Sequence, residues 1–328
     1  MERNAFFDNA KVILIFLVVF GHMIQPFAAD SNTINAVYTW IYIFHMPAFI
    51  FLAGFFAKGI GDMKYVWNLF KKILIPYLIF QLVYTFYYFG IGKPDWDSSI
   101  LDPQWSLWFL VSLFSWHMLL IVFKKIPMGF SISAAVLVGI IAGYFGEIGQ
   151  TLSLSRTLVF FPFFLTGYFL TVSHVMVVKK HFMKIAAVAV MAMFFGLVYF
   201  MPDIDTGWLL ASQSYSDLGA DNEGGIIRFT VYIAATLMTF SIFTFVPTQN
   251  LGWITGLGAK TLYVYLLHGF IVQFLRQFDI LSVNQWYDFV FIIIMSALIV
   301  IVLSSQFILT LTQPLVELRT KKLRALFK

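Results

Sequence analysis

Residues 8–25 read DNAKVILIFLVVFGHMIQ, an apolar run that opens on Asp8 and Lys11 and closes on His22 and Gln25. About 20 apolar residues let a helix cross a hydrocarbon core of roughly 30 Å. The length of this run, its internal charges and its lack of a small-residue cleavage site predict a retained membrane helix, not a signal peptide. On a helix turning about 100° per residue, positions 11 and 22 return to within about 20° of each other while lying about 16 Å apart along the axis. Asp8, three residues before Lys11, and Gln25, three after His22, extend the same stripe. A polar track is thus expected along one side of a helix otherwise suited to lipid.

The rest of the chain repeats the membrane signal. Of 328 residues, 60% are hydrophobic, 19% aromatic and only 11% charged, and the mean hydropathy is +0.86. Those values exclude an ordinary water-soluble domain. The predicted fold is all-α, a polytopic membrane protein with ten transmembrane helices in a single domain over residues 1–328. The spans are expected to begin near Lys11, Ala36, Ile73, Gln104, Phe130, Arg156, Phe182, Ile226, Lys260 and Tyr287. The absence of cysteine removes disulfides, thiolate metal sites and cysteine nucleophiles.

With the N-terminus inside and sides alternating, only Lys93, Arg156, Arg228 and Arg276 of the 21 Lys and Arg residues fall outside. The others, from Arg3 through Lys124 and Lys179 to Lys321, Lys322, Arg324 and Lys328, fall on the cytoplasmic face. That bias predicts cytoplasmic N- and C-termini; the expected location is the plasma membrane. Acidic residues, among them Asp203, Asp205, Asp217, Asp221 and Glu223, concentrate in the longest outer loop. That loop is a candidate lid or specificity element.

Ionisable groups inside a span are costly and usually face a cavity or one another. His22 therefore reads as functional, against the plainer alternative of a hydrogen-bonded packing residue. His45 precedes Pro47, which kinks its helix; it reads equally as a ligand contact or a structural group. His268 stands mid-helix beside Gly269, after Tyr263 and Tyr265. Arg156 leads a run interrupted by Pro162 and reads as an interfacial anchor or an acceptor-side contact. Lys71 and Lys72, with Pro76 just beyond, form a basic ledge. Topology alone accounts for such a ledge; a seat for the phosphates of a cytosolic donor is the functional alternative. No phosphate-binding glycine loop, dinucleotide fingerprint or zinc-protease motif occurs, and neither a metal nor a nucleic-acid partner is expected.

Six segments together resemble the acyltransferase family 3 membrane enzymes, and within them the fucose 4-O-acetylase-like branch. They are DNAKVILIFLVVFGH (8–22), FHMPAFIFLAGFF (44–56), FKKILIPYLIF (70–80), SLWFLVSLF around Trp108, RTLVFFPFFLTGYFL (156–170) and LGAKTLYVYLLHGF (257–270). They run in order through nearly the whole chain. Two positions depart from the family pattern: the helix-one basic residue, often arginine, is Lys11, and Ala53 replaces a small hydroxyl residue before Gly54.

The resemblance implies transfer of an acyl group, usually acetyl, from cytosolic acyl-CoA to a hydroxyl of a carbohydrate or lipid-linked glycan. On that reading His22 is the general base, Lys11 and Asp8 orient the donor or stabilise developing charge, and Lys71 and Lys72 hold the CoA phosphates. Trp108 and Tyr265 stack on a ring, while His45, Arg156 and His268 line the acceptor side. Membrane lipids and a second copy of the chain are further expected partners. An exporter or flippase of polysaccharide or lipid-linked sugar is the rival from another class, and the missing internal repeat weighs against it.

Overall fold

The computed structural model describes residues 4–59, 63–93, 99, 101–149, 151–201 and 204–319. Arg3, Lys321, Lys322, Arg324, Lys328 and Asp203, used above, lie outside them. The described residues are helical with no strand. The solvent this fold expects is visible in its surface. Asp8, Asn9, Gln81 and His268 are buried, while Phe86 is 72% and Phe200 82% exposed. A water-soluble protein arranges these residue types the other way.

Among the described residues, eight segments are long and apolar enough to cross a bilayer: Ala5–Phe27, Asn32–Phe55, Met63–Gly90, Trp105–Phe123, Thr151–Phe169, His181–Phe200, Gly224–Phe245 and Trp286–Leu303. The difference from ten is a matter of length for Met128–Ala142, and of both length and polarity for Thr261–Gln277, which carries His268, Gln273, Arg276 and Gln277. Met128–Ala142, with 15 residues, and Thr261–Gln277, with 17, rise about 22 and 26 Å, short of the hydrocarbon thickness. The chain is a multi-pass membrane protein.

Its residues cluster into two compact units. The first, Met1–Phe27, Met63–Phe114 and Thr248–Lys328, holds α1 (Ala5–Ile24), α3 (Met63–Leu69), α4 (Ile75–Gly90), the start of α5 (Trp108–Phe123), α12 (Trp253–Leu257), α13 (Thr261–Gln277), α14 (Trp286–Leu303) and α15 (Gln306–Glu317). Asn4 caps α1 by accepting from Phe6 N at 3.0 Å. Asn9, one turn in, donates to Gln249 O at 2.9 Å and accepts from Thr255 Oγ1 at 2.6 Å, tying α1 to α12. Gly258 lets that backbone approach, since a Cβ there would fall on Asp8. Between α3 and α4, residues Phe70–Leu74 form a π turn. Pro76 has no N–H to give Lys72 O, and Ile75 N reaches back five residues to Phe70 O.

The second unit, Ala28–Asp62 and Ser115–Pro247, holds the rest of α5, α2 (Asn32–Phe55), α6 (Met128–Ala142), α7 (Leu154–Phe169), α8 (Val172–Met176), α9 (His181–Phe200), α10 (Gly207–Leu210) and α11 (Gly224–Phe245). Helices α2 and α7 touch backbone to backbone. A Cβ on Gly54 would meet the Phe164 main chain, and one on Gly167 the main chain of Phe51. The α9–α11 loop is tied down, not a free flap. Ser155 Oγ donates to Ala211 O at 2.8 Å, Tyr215 OH to Ile140 O at 2.9 Å, and the buried Arg228 to Trp208 O.

Candidate active site

Helix α1 carries its polar groups at opposite ends. Near its start, Lys11 Nζ lies 2.7 Å from Asp8 Oδ1, with the carboxylate side nearly buried and the ammonium side partly open. Near its end, the His22 ring meets two rings from elsewhere in the same unit: Trp105 with centroids 4.5 Å apart and His268 at 5.6 Å, with the imidazole planes inclined by only 27°. Trp105 and His268 are 5.2 Å apart, so the three rings close a triangle.

Each corner is held by local chemistry. His268 Nδ1 lies 2.9 Å from Val264 O, one turn back on α13. A carbonyl only accepts, so Nδ1 carries the hydrogen and Nε2 presents its lone pair. The residue is fully buried, and Nε2 has no hydrogen-bond partner among the described residues. Tyr84 OH donates to Leu266 O at 2.9 Å and Tyr87 OH to Phe270 O at 2.6 Å, fixing α13 against α4. Trp105 follows a loop set by one side chain. Gln81 Nε2 donates to Ser99 O and Asp102 O at 2.7 and 2.9 Å, and its Oε1 accepts from Gln104 N at 2.9 Å. The next residue takes φ 40°, a left-handed backbone that a tryptophan rarely adopts. Its indole lies where a Cβ on Gly269 would collide with it.

Arg276, two turns beyond His268 on α13, fastens the end of α1. Its Nη2 donates to His22 O and, at 2.8 Å, to Gln25 Oε1, and its guanidinium stands 5.8 Å from the Trp105 ring. Beside it opens a cavity of about 330 Å³ lined by Met23, Gln25, Val272, Arg276 and Asp279 among others. Met23 follows His22 and Val272 is one turn beyond His268, so the cavity stops about one helical turn from the ring cluster.

The remaining sequence candidates fall as follows. Tyr265 OH donates to Ser106 O, and its ring is 6.5 Å from His268. Trp108 sits half-buried, its ring 6.1 Å from Phe109; the indole in the ring triangle is Trp105. Lys71 and Lys72 are exposed on the π turn, with Lys71 Nζ 5.0 Å above the Trp67 ring. His45 and Arg156 belong to the second unit. There His45 Nδ1 lies 3.0 Å from Ile41 O, the same fixed tautomer as His268, with Tyr42 edge-on at 4.4 Å. Arg156 Nε donates to Leu210 O at 3.1 Å in the tied-down loop. Sequence reading passed over Trp105, Gln81, Asn9 and the clamp role of Arg276. Arg276 carried one usable signal, an outer-side cation on the helix of His268. Among the described residues no group of three or more His, Asp or Glu is placed to hold a metal ion.

Comparison with known proteins gives the family. The acyltransferase domain family matches residues 4–305. The nodulation protein NolL of Sinorhizobium fredii is 26% identical over 190 residues, which cover 51% of this chain and 48% of that protein. NolL of Mesorhizobium japonicum is 25% identical over the same extent. The chain thus spans about half the length of the curated relatives it matches. No solved structure matches it. A family match running from the cap of α1 through the end of α14, across every residue of the ring triangle, makes this chain a member of the acyltransferase family.

Proposed function

We propose that this protein is a ten-span, single-domain O-acyltransferase of the plasma membrane, with both termini cytoplasmic, that moves an acetyl group from cytosolic acyl-CoA to a hydroxyl of a cell-envelope or extracellular carbohydrate. The observation that carries this reading is the division of α1. A charged pair, Lys11 and Asp8, stands at one end, and an imidazole set among Trp105 and His268 stands at the other. A donor delivered from one face and an acceptor from the other meet along such a helix, and only the acyl group crosses.

The chemistry asked of these groups is modest. His22 takes the hydroxyl proton as the oxygen bonds to the thioester carbon. The carbon–sulfur bond breaks, and the thiolate leaves with that proton, giving ester and free CoA. Lys11, held by Asp8, supplies positive charge toward the donor, and Lys71 and Lys72 take its phosphates from the exposed π turn. Trp105, Trp108 and Tyr265 offer ring faces for a sugar ring or the pantetheine arm. No metal enters the scheme. Purified protein given acetyl-CoA and envelope glycan should release free CoA with appearance of an ester mass on the glycan. Sugar movement across the membrane with no ester formed is the outcome that replaces this reading with transport.

A further inference from the structure

The second unit holds a cavity that the acyltransferase scheme leaves unused. Its volume is about 620 Å³, inside the roughly 300–1,000 Å³ range that takes small ligands. Met183 to Val190 on α9 and Leu237 to Thr244 on α11 run along it, a rise of about 10 Å on each helix. Thr236, Ser241 and Thr244 line it as well, yet each hydroxyl donates back into its own helix, to Tyr232 O, Leu237 O and Phe240 O at 2.8, 2.8 and 3.0 Å. With those hydrogens committed, the part of the cavity within the α9 and α11 spans presents hydrocarbon to an occupant.

One end of the cavity differs. Val177 and Val178 line it there, outside the two spans, and Lys179 follows them. Its Nζ donates to Phe243 O at 2.9 Å, to Thr244 O at 3.0 Å and to Val246 O, closing the end of α11. Burial, with the charge of Lys184 behind it, lowers the Lys179 ammonium from its ordinary value to about 8. Lys180 and Lys184 are exposed and pair with no carboxylate among the described residues. His174, on the turn before Val177, also lines the cavity. The Thr171 N–H donates to His174 Nδ1 at 3.3 Å, so Nε2 carries the ring hydrogen and is a donor. Cations and a donor thus gather where the spans end, and apolar walls lead from them to hydrocarbon depth. We propose that the cavity seats one acyl chain of an anionic phospholipid, with its phosphate held by His174, Lys180 and Lys184. A neutral lipid would leave both ammonium groups unmatched. The site is independent of the acyltransferase reading, because the ring cluster belongs to the first unit.

The test uses the full chain, delipidated in detergent, and counts bound lipid by native mass spectrometry. The probes are phosphatidylglycerol, phosphatidylcholine with the same chains, and glycerol phosphate. Wild type should retain one phosphatidylglycerol and prefer it to phosphatidylcholine by about ten-fold or more, each lysine contributing roughly five-fold. Lys180→Gln with Lys184→Gln should remove most of that preference. Ala186→Phe, which sets a ring into the cavity from an exposed position, should cut phosphatidylglycerol retention by about ten-fold, and an unchanged Tm of the lipid-free protein would show that it folds. The lysine pair, both at exposed positions, decides the matter should the phenylalanine disturb folding. Equal retention of the two lipids by wild type overturns the proposal and makes the cavity an ordinary lipid-facing groove. Glycerol phosphate bound as tightly as phosphatidylglycerol also overturns it, assigning the basic end to a soluble phosphate. Full phosphatidylglycerol retention in the lysine variant, or in a folded Ala186→Phe, puts the lipid elsewhere on the chain and overturns it as well.

Discussion

At the scale of single residues, Lys11 and His22 make separable predictions. His22→Ala should lower free-CoA release about 10²- to 10⁴-fold, the usual contribution of a positioned acid–base group, with the protein still inserted and folded; ordinary turnover would remove His22 from the chemistry. Lys11→Ala should cost about 10²- to 10³-fold, while Lys11→Arg, still within reach of Asp8, should retain most of the rate; equal losses would mean that something other than positive charge matters there. Both residues were legible in the sequence because a charge and an imidazole inside an aliphatic run have no cheap bland explanation. Trp105 was not. With 39 Phe, 15 Tyr and 9 Trp in the chain, an aromatic residue carries almost no information by identity. What singles Trp105 out is a left-handed φ and a loop pinned by Gln81, and neither leaves a mark in the sequence.

Two secondary elements turn on one residue each. The π turn that presents Lys71 and Lys72 exists because Pro76 cannot complete the α pattern, and such turns recur at functional sites. Pro76→Ala allows a regular helix and rotates the two lysines relative to α4. Acyl-CoA KM should then rise several-fold with kcat little changed, and the Lys71→Ala, Lys72→Ala double variant should do the same by removing the charges. An unchanged KM in both would leave the lysines to membrane topology alone. The crossing of α2 and α7 depends on Gly54, whose missing Cβ lets the Phe164 backbone approach. Gly54→Ala should destabilise the protein by about 1–3 kcal/mol or more, read as a lower Tm in detergent. Gly196→Ala on α9 has open space for its methyl and should show no loss. Helix positions were legible from hydropathy, whereas these contacts were not, because a glycine in an apolar run looks the same whether it faces a backbone or lipid.

The whole molecule poses a question of parity. If α6 and α13 both cross the membrane despite their 15 and 17 residues, the α9–α11 loop is outside and the turn before α9 is inside. If neither crosses, both segments change sides, and Lys179, Lys180 and Lys184 stand outside against the charge bias. Short helices cross where the bilayer thins or flanking side chains reach the interface, at a modest cost per ångström, while outward lysines oppose orientation at every residue; ten spans is therefore the expected answer. The chain contains no cysteine, so one introduced thiol reports its own position without background. Asp221 and Lys180 are both exposed. In intact cells, Asp221→Cys should react with a membrane-impermeant maleimide and Lys180→Cys should react only after permeabilisation. The reversed pattern would place α6 and α13 as helices that enter the membrane without crossing it. Arg276 keeps its side in either case, because α13 follows α11 to the outer face and fastens the same end of α1 through His22 O and Gln25 Oε1, so the labelling pattern decides the number of spans and leaves the division of labour along α1 in place.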